Sequence, residues 1–143
     1  MSNTDIVQAS LDAWCRADWD TYSSLLTDDF LYDDPSQPLD KNAWLGFGRA
    51  MLTAFPDWSF NSSGLRENGD KVYNTSRISG THTGVLSPGM GLPTVSATGK
   101  HVEAPPEEEV FTLRGGQISR LAITFSPDGD LAAVYAQLGV PLS

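Results

Sequence analysis

Cysteine is nearly absent from this 143-residue chain. Cys15 stands alone, so no disulfide can form within the chain, and a reducing compartment suits it. With no histidine near it in sequence, it reads as a helix packing residue rather than a nucleophile. Basic residues are scarce as well: nine Lys and Arg stand against eighteen Asp and Glu, for a net charge of −9. They are spread from Arg16 to Arg120 without a cluster. Phosphate backbones and anionic membranes demand a concentrated positive surface, so neither nucleic acid nor membrane is expected as a partner. No apolar run approaches membrane-spanning length. The start, Met1-Ser2-Asn3-Thr4-Asp5, lacks the basic and apolar segments of a secretory signal, and a cytoplasmic protein is expected. The two histidines do not form metal-ligand spacing, and no CxxC, HExxH or calcium-loop pattern occurs. Gly89, Gly91 and Gly99 are not followed by the Lys-Ser or Lys-Thr of a phosphate loop, and no glycine-flanked serine marks a nucleophile elbow. Carboxylates could hold a metal, but no pattern singles one out.

What is present suits one domain, residues 1–143, with an adequate core: 40% of the residues are hydrophobic. Thr4 is placed to cap a first helix carrying Ile6, Val7, Leu11, Ala13 and Trp14 at helical spacing. A second, short helix carries Trp19, Tyr22, Leu25 and Leu26. Phe30 to Asp34 reads as a strand stopped by Pro35, because proline lacks an N–H and biases its predecessor towards extended geometry. Asp40 caps a third helix with Trp44, Phe47, Met51, Leu52 and Phe55, closed by Pro56. Strands then dominate: Trp58 to Arg66, Val72 to Thr81, and a hairpin of His101–Leu113 with Gln117–Phe125 around Arg114-Gly115-Gly116. A Gly- and Pro-loaded loop, 84–99, is expected to include a mobile lid. Pro127 breaks the last strand, and Asp130 to Leu138 forms a terminal helix stopped by Gly139. Helices followed by an antiparallel sheet make an α+β domain.

Three positions suggest acid–base chemistry. Alternation along the first strand puts Phe30, Tyr32 and Asp34 on one face and Leu31 and Asp33 on the other. With the aromatic face inward, Asp34 is a carboxylate in apolar surroundings, the setting of a general base; the other reading is a solvated Asp-Asp-Pro turn. In Glu107-Glu108-Glu109-Val110-Phe111-Thr112-Leu113 the larger apolar pair shares a face with Glu107 and Glu109. Glu109 then points inward beside Phe111, where a protonated carboxyl could donate to a developing oxyanion; the alternative is a solvated strand end. His82, between threonines and glycines, suits proton transfer near neutrality or is a turn residue. Tyr73, Thr75 and Arg77 share a strand face, open either to a polar substrate or to surface pairing. Trp14, Trp19, Trp44 and Trp58 are enough large aromatics to line a ligand cavity in so small a domain.

The element order, with Phe55-Pro56-Asp57-Trp58, Gly80-Thr81-His82-Thr83-Gly84, Thr98-Gly99-Lys100, Gly116-Gln117-Ile118 and Gln137-Leu138-Gly139-Val140, resembles the SnoaL-like polyketide cyclases. These belong to the nuclear-transport-factor-2-like and ketosteroid-isomerase-like superfamily. The resemblance implies a cystatin-like α+β barrel: a curved antiparallel sheet packed with N-terminal helices into a cone-shaped pocket, usually in homodimers. It also implies acid–base chemistry on small hydrophobic carbonyl compounds without metal or cofactor. Ketosteroid isomerases have a general-base aspartate directly before a proline, as in Asp34-Pro35, and an oxyanion-binding aspartate to which Glu109 looks equivalent. Their first-helix tyrosine has no clear match; Ser10 or Trp14 lies nearest. The pattern departs at the last strand. SnoaL-like cyclases place a catalytic acid there, whereas Ile118 to Phe125 holds no carboxylate and Arg120 stands about where the acid is expected.

The expected activity is thus of cyclase or isomerase type. Asp34 removes a proton alpha to a carbonyl, Glu109 stabilises the enolate, and His82 assists or shapes the pocket mouth. The substrate rests against Trp14, Tyr32, Trp58, Phe111 and Arg120. Two alternatives stay open: a catalytically silent ligand-binding or dimerisation domain, and hydration or epoxide hydrolysis by a set including Arg120 and Glu109. A homodimer through the outer surface of the sheet is expected, with the inward face of the last strand ambiguous between Leu121-Ile123-Phe125 and Arg120-Ala122.

Overall fold

The computed structural model describes residues 1–34, 37–124 and 130–142. Pro35, Phe125 and Pro127, which enter the sequence reading, lie outside the described residues. In chain order the elements are α1 (Asn3–Cys15), α2 (Trp19–Ser24), β1 (Leu26–Tyr32), β2 (Leu39–Asp40), α3 (Lys41–Ala54), β3 (Arg66–Asn68), β4 (Lys71–Ser76), β5 (Ser79–Thr81), β6 (His101–Glu103), β7 (Glu107–Arg114), β8 (Gln117–Thr124) and α4 (Asp130–Gln137). This is the expected α+β architecture, with N-terminal helices packed on a sheet.

Helix starts follow local chemistry. Ser2, not Thr4, caps α1: its hydroxyl accepts from the Asp5 N–H at 3.1 Å while its own N–H donates to the Asp5 carboxylate at 3.0 Å. This reciprocal box satisfies two otherwise orphaned donors. Thr4 instead donates to Glu67 at 3.2 Å and ties α1 to β3. Asp40 caps α3 as expected, accepting from Ala43 N–H at 2.9 Å. The buried stripe of α3, Trp44, Leu45, Gly48, Met51 and Leu52, faces the sheet and α1. A Cβ at Gly48 would lie 2.8 Å from the Trp19 ring and 2.9 Å from Trp14, so α3 approaches that close only because a glycine stands there.

The main sheet has the order β2-β1-β8-β7-β4-β3. Its pairs are antiparallel except β1–β8, which runs parallel, so the sheet is mixed. Two strands expected as continuous are each broken. Val72 to Thr81 divides into β4 and β5 around Arg77-Ile78, and His101 to Leu113 divides into β6 and β7 at Ala104-Pro105-Pro106, where the prolines have no N–H for a ladder. The upper pieces form a separate two-stranded ladder, β5–β6. Trp58 to Leu65 runs beside β4 with isolated bonds (Arg77 N–H to Phe60 C=O and Ser63 N–H to Thr75 C=O) rather than as a strand. The β7–β8 hairpin turns on Gly115-Gly116, both at positive φ (60° and 80°), the geometry that matches strand twist in a two-residue turn.

Alternation sets the two faces. β7 is buried at Glu107, Glu109, Phe111 and Leu113 and more open at Glu108, Val110 and Thr112. β8 turns Ile118 and Leu121 inward, with a register shift opposite Thr112/Leu113 that inserts an extra residue between them. That bulge resolves the ambiguous parity: Leu121 and Ile123 face the helices, and Arg120 lies exposed on the outer face.

Candidate functional site

Between the inner sheet face and the helices lies a cavity of about 280 Å³. A dry cavity of ~150 Å³ accepts benzene, so this one has room for roughly a bicyclic molecule. Its wall is mainly aromatic, including Trp14, Tyr22, Tyr32, Trp44, Trp58 and Phe111. Trp44 stacks on Tyr32 with centroids 4.4 Å apart and on Phe47 at 5.6 Å. Trp14 is the hub of the wall, within 6 Å of Trp19, Tyr22, Trp44, Trp58 and Phe60. Rings locked by such contacts lose little further entropy when a ligand arrives. The exposed lining residues Gln37 and Met90 mark the mouth; Met90 and Leu92 come from the Gly- and Pro-loaded segment.

Into this wall the sheet sets three carboxyl groups, Asp34, Glu107 and Glu109, and no Lys, Arg or His is among the described lining residues. Register places them. Tyr32, Leu121, Phe111 and Val72 form one row across β1, β8, β7 and β4. Two residues on, Ile123, Glu109 and Asn74 form the next, and Asp34, two residues beyond Tyr32, extends it on the β1 side. Strands lie ~4.8 Å apart, so a continuation of that register beyond the end of β1 would set Asp34 and Glu109 on either side of Ile123, roughly 10 Å apart at the backbone; both line the cavity. That gap leaves space for a small molecule between two carboxyls. Asp33 alternates outward and pairs with Arg120.

The acids differ in surroundings. Asp34 is half-buried, whereas Glu107 and Glu109 are each only 3% exposed. Asn74, fully buried on β4, donates to Glu109 Oε1 at 2.7 Å and to Ser62 at 3.2 Å. Ser76 donates to Glu107 Oε1 at 3.2 Å. Across the cavity, Trp44 Nε1–H donates to Tyr22 Oη at 2.8 Å. Burial, with the charge of Glu109 as a smaller cause, pushes the Tyr22 phenol well above its ordinary range, against the Trp44 bond, which favours phenolate. Because Trp44 occupies a lone pair of Tyr22, the phenol proton is left for another acceptor.

Of the residues singled out from sequence, Asp34, Glu109, Trp14, Tyr32, Trp58 and Phe111 line the one cavity. Two do not. Arg120 is a correction: it sits on the opposite face of the sheet from Glu109, ion-paired with Asp33, and a set joining Arg120 to Glu109 is not formed. His82 is another: it is fully buried behind Phe55, ring centroids 5.4 Å apart, and is not a lining residue. Its Nδ1 accepts from the Thr98 N–H at 3.2 Å, and its backbone bonds Lys100 and Gly99 at 2.8 Å. Burial holds this histidine below its ordinary value, opposed by a backbone hydrogen bond at Val95, so it is a neutral clasp for the 98–100 turn. Tyr73, Thr75 and Arg77 face away from the cavity, and Thr75 binds Glu108 on the outer face.

Sequence reasoning missed Tyr22 as a polar group and the β4 residues Asn74 and Ser76. The signal was available for the latter. If Glu107 and Glu109 turn inward, buried carboxyls demand donors on the neighbouring strand, and polar residues alternating with Val72 supply them. No cluster of His, Cys, Asp or Glu suited to a metal occurs among the described residues, nor does any helix long and apolar enough to cross a membrane.

Known proteins share this architecture. AclR, a candidate hydroxylase from Streptomyces galilaeus, superposes with a TM-score of 0.77 at 18% identity, over 94% of this chain and 79% of that one. A candidate polyketide cyclase from Xanthomonas campestris gives 0.73 at 25% identity, over 94% and 95%. A candidate SnoaL-like polyketide cyclase from Jannaschia gives 0.76 at 23%, over 98% and 93%. No curated protein matches significantly. The profile of the SnoaL-like domain matches residues 7–121, from within α1 to Leu121 in β8, and so includes α2, α3 and both β7 acids. The chain belongs to the SnoaL-like domain family.

Proposed function

We propose that this protein moves protons on a small hydrophobic carbonyl compound, as a cyclase or isomerase without metal or cofactor. The observation that carries the reading is the row Asp34–Ile123–Glu109: two carboxyls flanking an apolar floor inside an aromatic cavity. Asp34 takes a proton alpha to the carbonyl. The enolate oxygen is met by the Tyr22 hydroxyl and a protonated carboxyl of the Glu107/Glu109 pair, donors that stabilise charge in a water-poor site. The aromatic wall supplies affinity through burial and, with no cationic side chain among its described residues, favours neutral substrates over anionic ones.

The test is α-proton exchange. Bicyclic ketones incubated with protein in D₂O are followed by NMR, and Asp34→Asn should lose about 100-fold or more in exchange rate, the usual worth of a general base, with unchanged circular dichroism. Exchange that survives Asp34→Asn would refute it. A second reading, a silent ligand-binding domain, is favoured by one observation: β8 sets only Leu121 and Ile123 into the cavity and no acid. Saturable ketone binding with no exchange in the parent protein would select it. We also place a homodimer interface on the outer sheet face, around the half-buried Val110, Thr112 and Ala122. A monomer mass by light scattering at micromolar concentration would exclude it.

A further inference from the structure

Leu86 and Val95 exchange both backbone hydrogen bonds at 2.9 Å and close a small hairpin within the Gly- and Pro-loaded segment. Its stem is held. Both residues are buried, Ser87 and Thr94 pair through their hydroxyls at 3.2 Å, and the buried Tyr135 of α4 donates to the Pro93 carbonyl at 2.7 Å. Its tip is a turn in which Leu92 N–H donates to Gly89 C=O at 2.9 Å across Met90 and Gly91, whose φ angles are +57° and +75°. Two left-handed residues at the centre of a turn are the pattern of type I′, which calls for Asn-Gly or Gly-Gly. A methionine in the first of these positions is strained by its Cβ. Among the described residues only Ala17, Asn61 and Met90 hold a positive φ without being glycine, and of these Met90 alone lines the cavity. Strain of this kind persists where the surroundings impose it, and it collects at functional sites.

Asparagine would meet the turn with less strain, so what the position gains from methionine is its side chain. That side chain lies at the cavity mouth with Leu92 and is 37% exposed. It is unbranched, with three rotatable bonds and a polarisable sulfur, and so adapts to the apolar or aromatic surface it meets. Gly89 and Gly91 on either side have open space around them, with nothing within 4 Å of where a Cβ would stand. The tip can therefore turn without collision while the stem stays in place. We propose that Met90 is the gate residue of the cavity: its side chain folds over a bound hydrophobic ligand, sets how fast the ligand leaves and limits how far the ligand extends beyond the mouth. Val85, 47% exposed on the same segment, is apolar too, but it does not line the cavity and has no such part. The proposal rests on the cavity being a ligand site, as the proposed function requires, and not on any proton transfer.

The experiment compares Met90→Asn with the parent protein and with Val85→Ala by thermal unfolding, by acrylamide quenching of tryptophan fluorescence without ligand, and by stopped-flow release of β-tetralone, a neutral bicyclic ketone. Because Asn-Gly suits the turn, Met90→Asn should raise Tm by about 2–4 °C; a methionine held only for packing would give a lower Tm. Acrylamide should reach the wall tryptophans Trp14, Trp44 and Trp58 more readily in Met90→Asn than in the parent or in Val85→Ala, since the mouth has lost its cover. β-Tetralone should leave Met90→Asn about ten-fold faster, because changes at a binding site fall mostly on the dissociation rate. Met90→Leu, which keeps an apolar cover, should retain most of the parent's slow release. A fall in Tm, quenching equal to the parent's, or release no faster than from Val85→Ala would each overturn the proposal. If the parent binds no β-tetralone, Tm and quenching decide it, since neither needs a ligand. A parent that binds and slowly releases β-tetralone yet exchanges no α-proton would sink the proton-transfer reading and leave the gate standing.

Discussion

Gly84→Ala is the sharpest test of how the cavity is held. A Cβ there would lie 1.9 Å from the backbone oxygen of Thr53 and 3.0 Å from its carbonyl carbon. No side chain can swing aside, because the obstacle is the last turn of α3. The loop or the helix end must move by about 1 Å to reach even the tightest real contact. That shift strains the bonds by which Thr83 N–H (3.2 Å) and Gly84 N–H (3.1 Å) share the Ala54 carbonyl. Overpacking costs about 1–3 kcal/mol and each lost hydrogen bond about 1 kcal/mol, for a total near 4 kcal/mol. At ~2–4 °C per kcal/mol for a domain of this size, Tm should fall by about 10 °C or more. Gly89→Ala is the control: its Cβ meets nothing within 4 Å, but φ is +75°. It should cost only the ~1–2 kcal/mol of a left-handed alanine. Urea denaturation followed by tryptophan fluorescence measures both. The argument fails if Gly84→Ala is no more destabilising than Gly89→Ala. Since α3 carries Trp44, Phe47 and Met51 into the cavity wall, Gly84→Ala should also weaken ketone binding, and Gly89→Ala less so.

Three further outcomes are expected. His82 is held neutral, its folded value below the ordinary ~6.5; its contribution to stability is therefore complete above that pH and is lost as pH falls towards the folded value, where the unfolded chain binds the proton first. His82→Asn keeps an acceptor for the Thr98 N–H and should flatten this acid limb in urea midpoints measured between pH 7.5 and 5. Arg120→Ala should leave ketone affinity unchanged by calorimetry, because the guanidinium sits on the outer face with Asp33; weakened binding would mean that the face assignment is wrong. Trp44→Phe keeps the ring stack but removes the donor to Tyr22, and should cost about 1–3 kcal/mol in urea unfolding for the unsatisfied buried phenol.

Much of this was legible because period-two alternation is rigid. Phe30-Leu31-Tyr32-Asp33-Asp34 and Glu107 to Leu113 each admit one inward face once the aromatics are buried, and both faces lie as read. Capping chemistry located α3 at Asp40, and the Gly-Gly pair located the last hairpin. Arg120 was not legible. A one-residue bulge flips every later side chain, and nothing in Ile118-Ser119-Arg120-Leu121 announces where the extra residue falls. His82 failed for a different reason: local sequence shows a histidine among small residues but not Phe55, some 27 positions earlier, packing over it. For β4 the reading left the Tyr73, Thr75 and Arg77 face open between substrate and surface, and it never weighed the opposite face. The buried partners of two carboxyls had to be polar instead, so Asn74 and Ser76 took the inner face.

The absent acid on β8 bears on what reaction this cavity supports. The family resemblance places a catalytic acid on that strand, yet β8 contributes only Leu121 and Ile123 to the wall. A carboxyl on the adjacent strand in the same row serves the same volume from ~4.8 Å to one side, and Glu109 is that residue, paired in register with Ile123. The shift changes what the acid faces. On β7 it gains a β4 partner, Asn74, and a second glutamate two residues away. An acid so placed is not a simple substitute for one on β8: it brings a buried amide donor from β4 and a second buried carboxyl beside it. A fold found in candidate cyclases and in a candidate hydroxylase leaves the reaction to such local arrangements. Here the arrangement is a half-buried aspartate opposite two buried glutamates, one bonded by Asn74 and the other by Ser76.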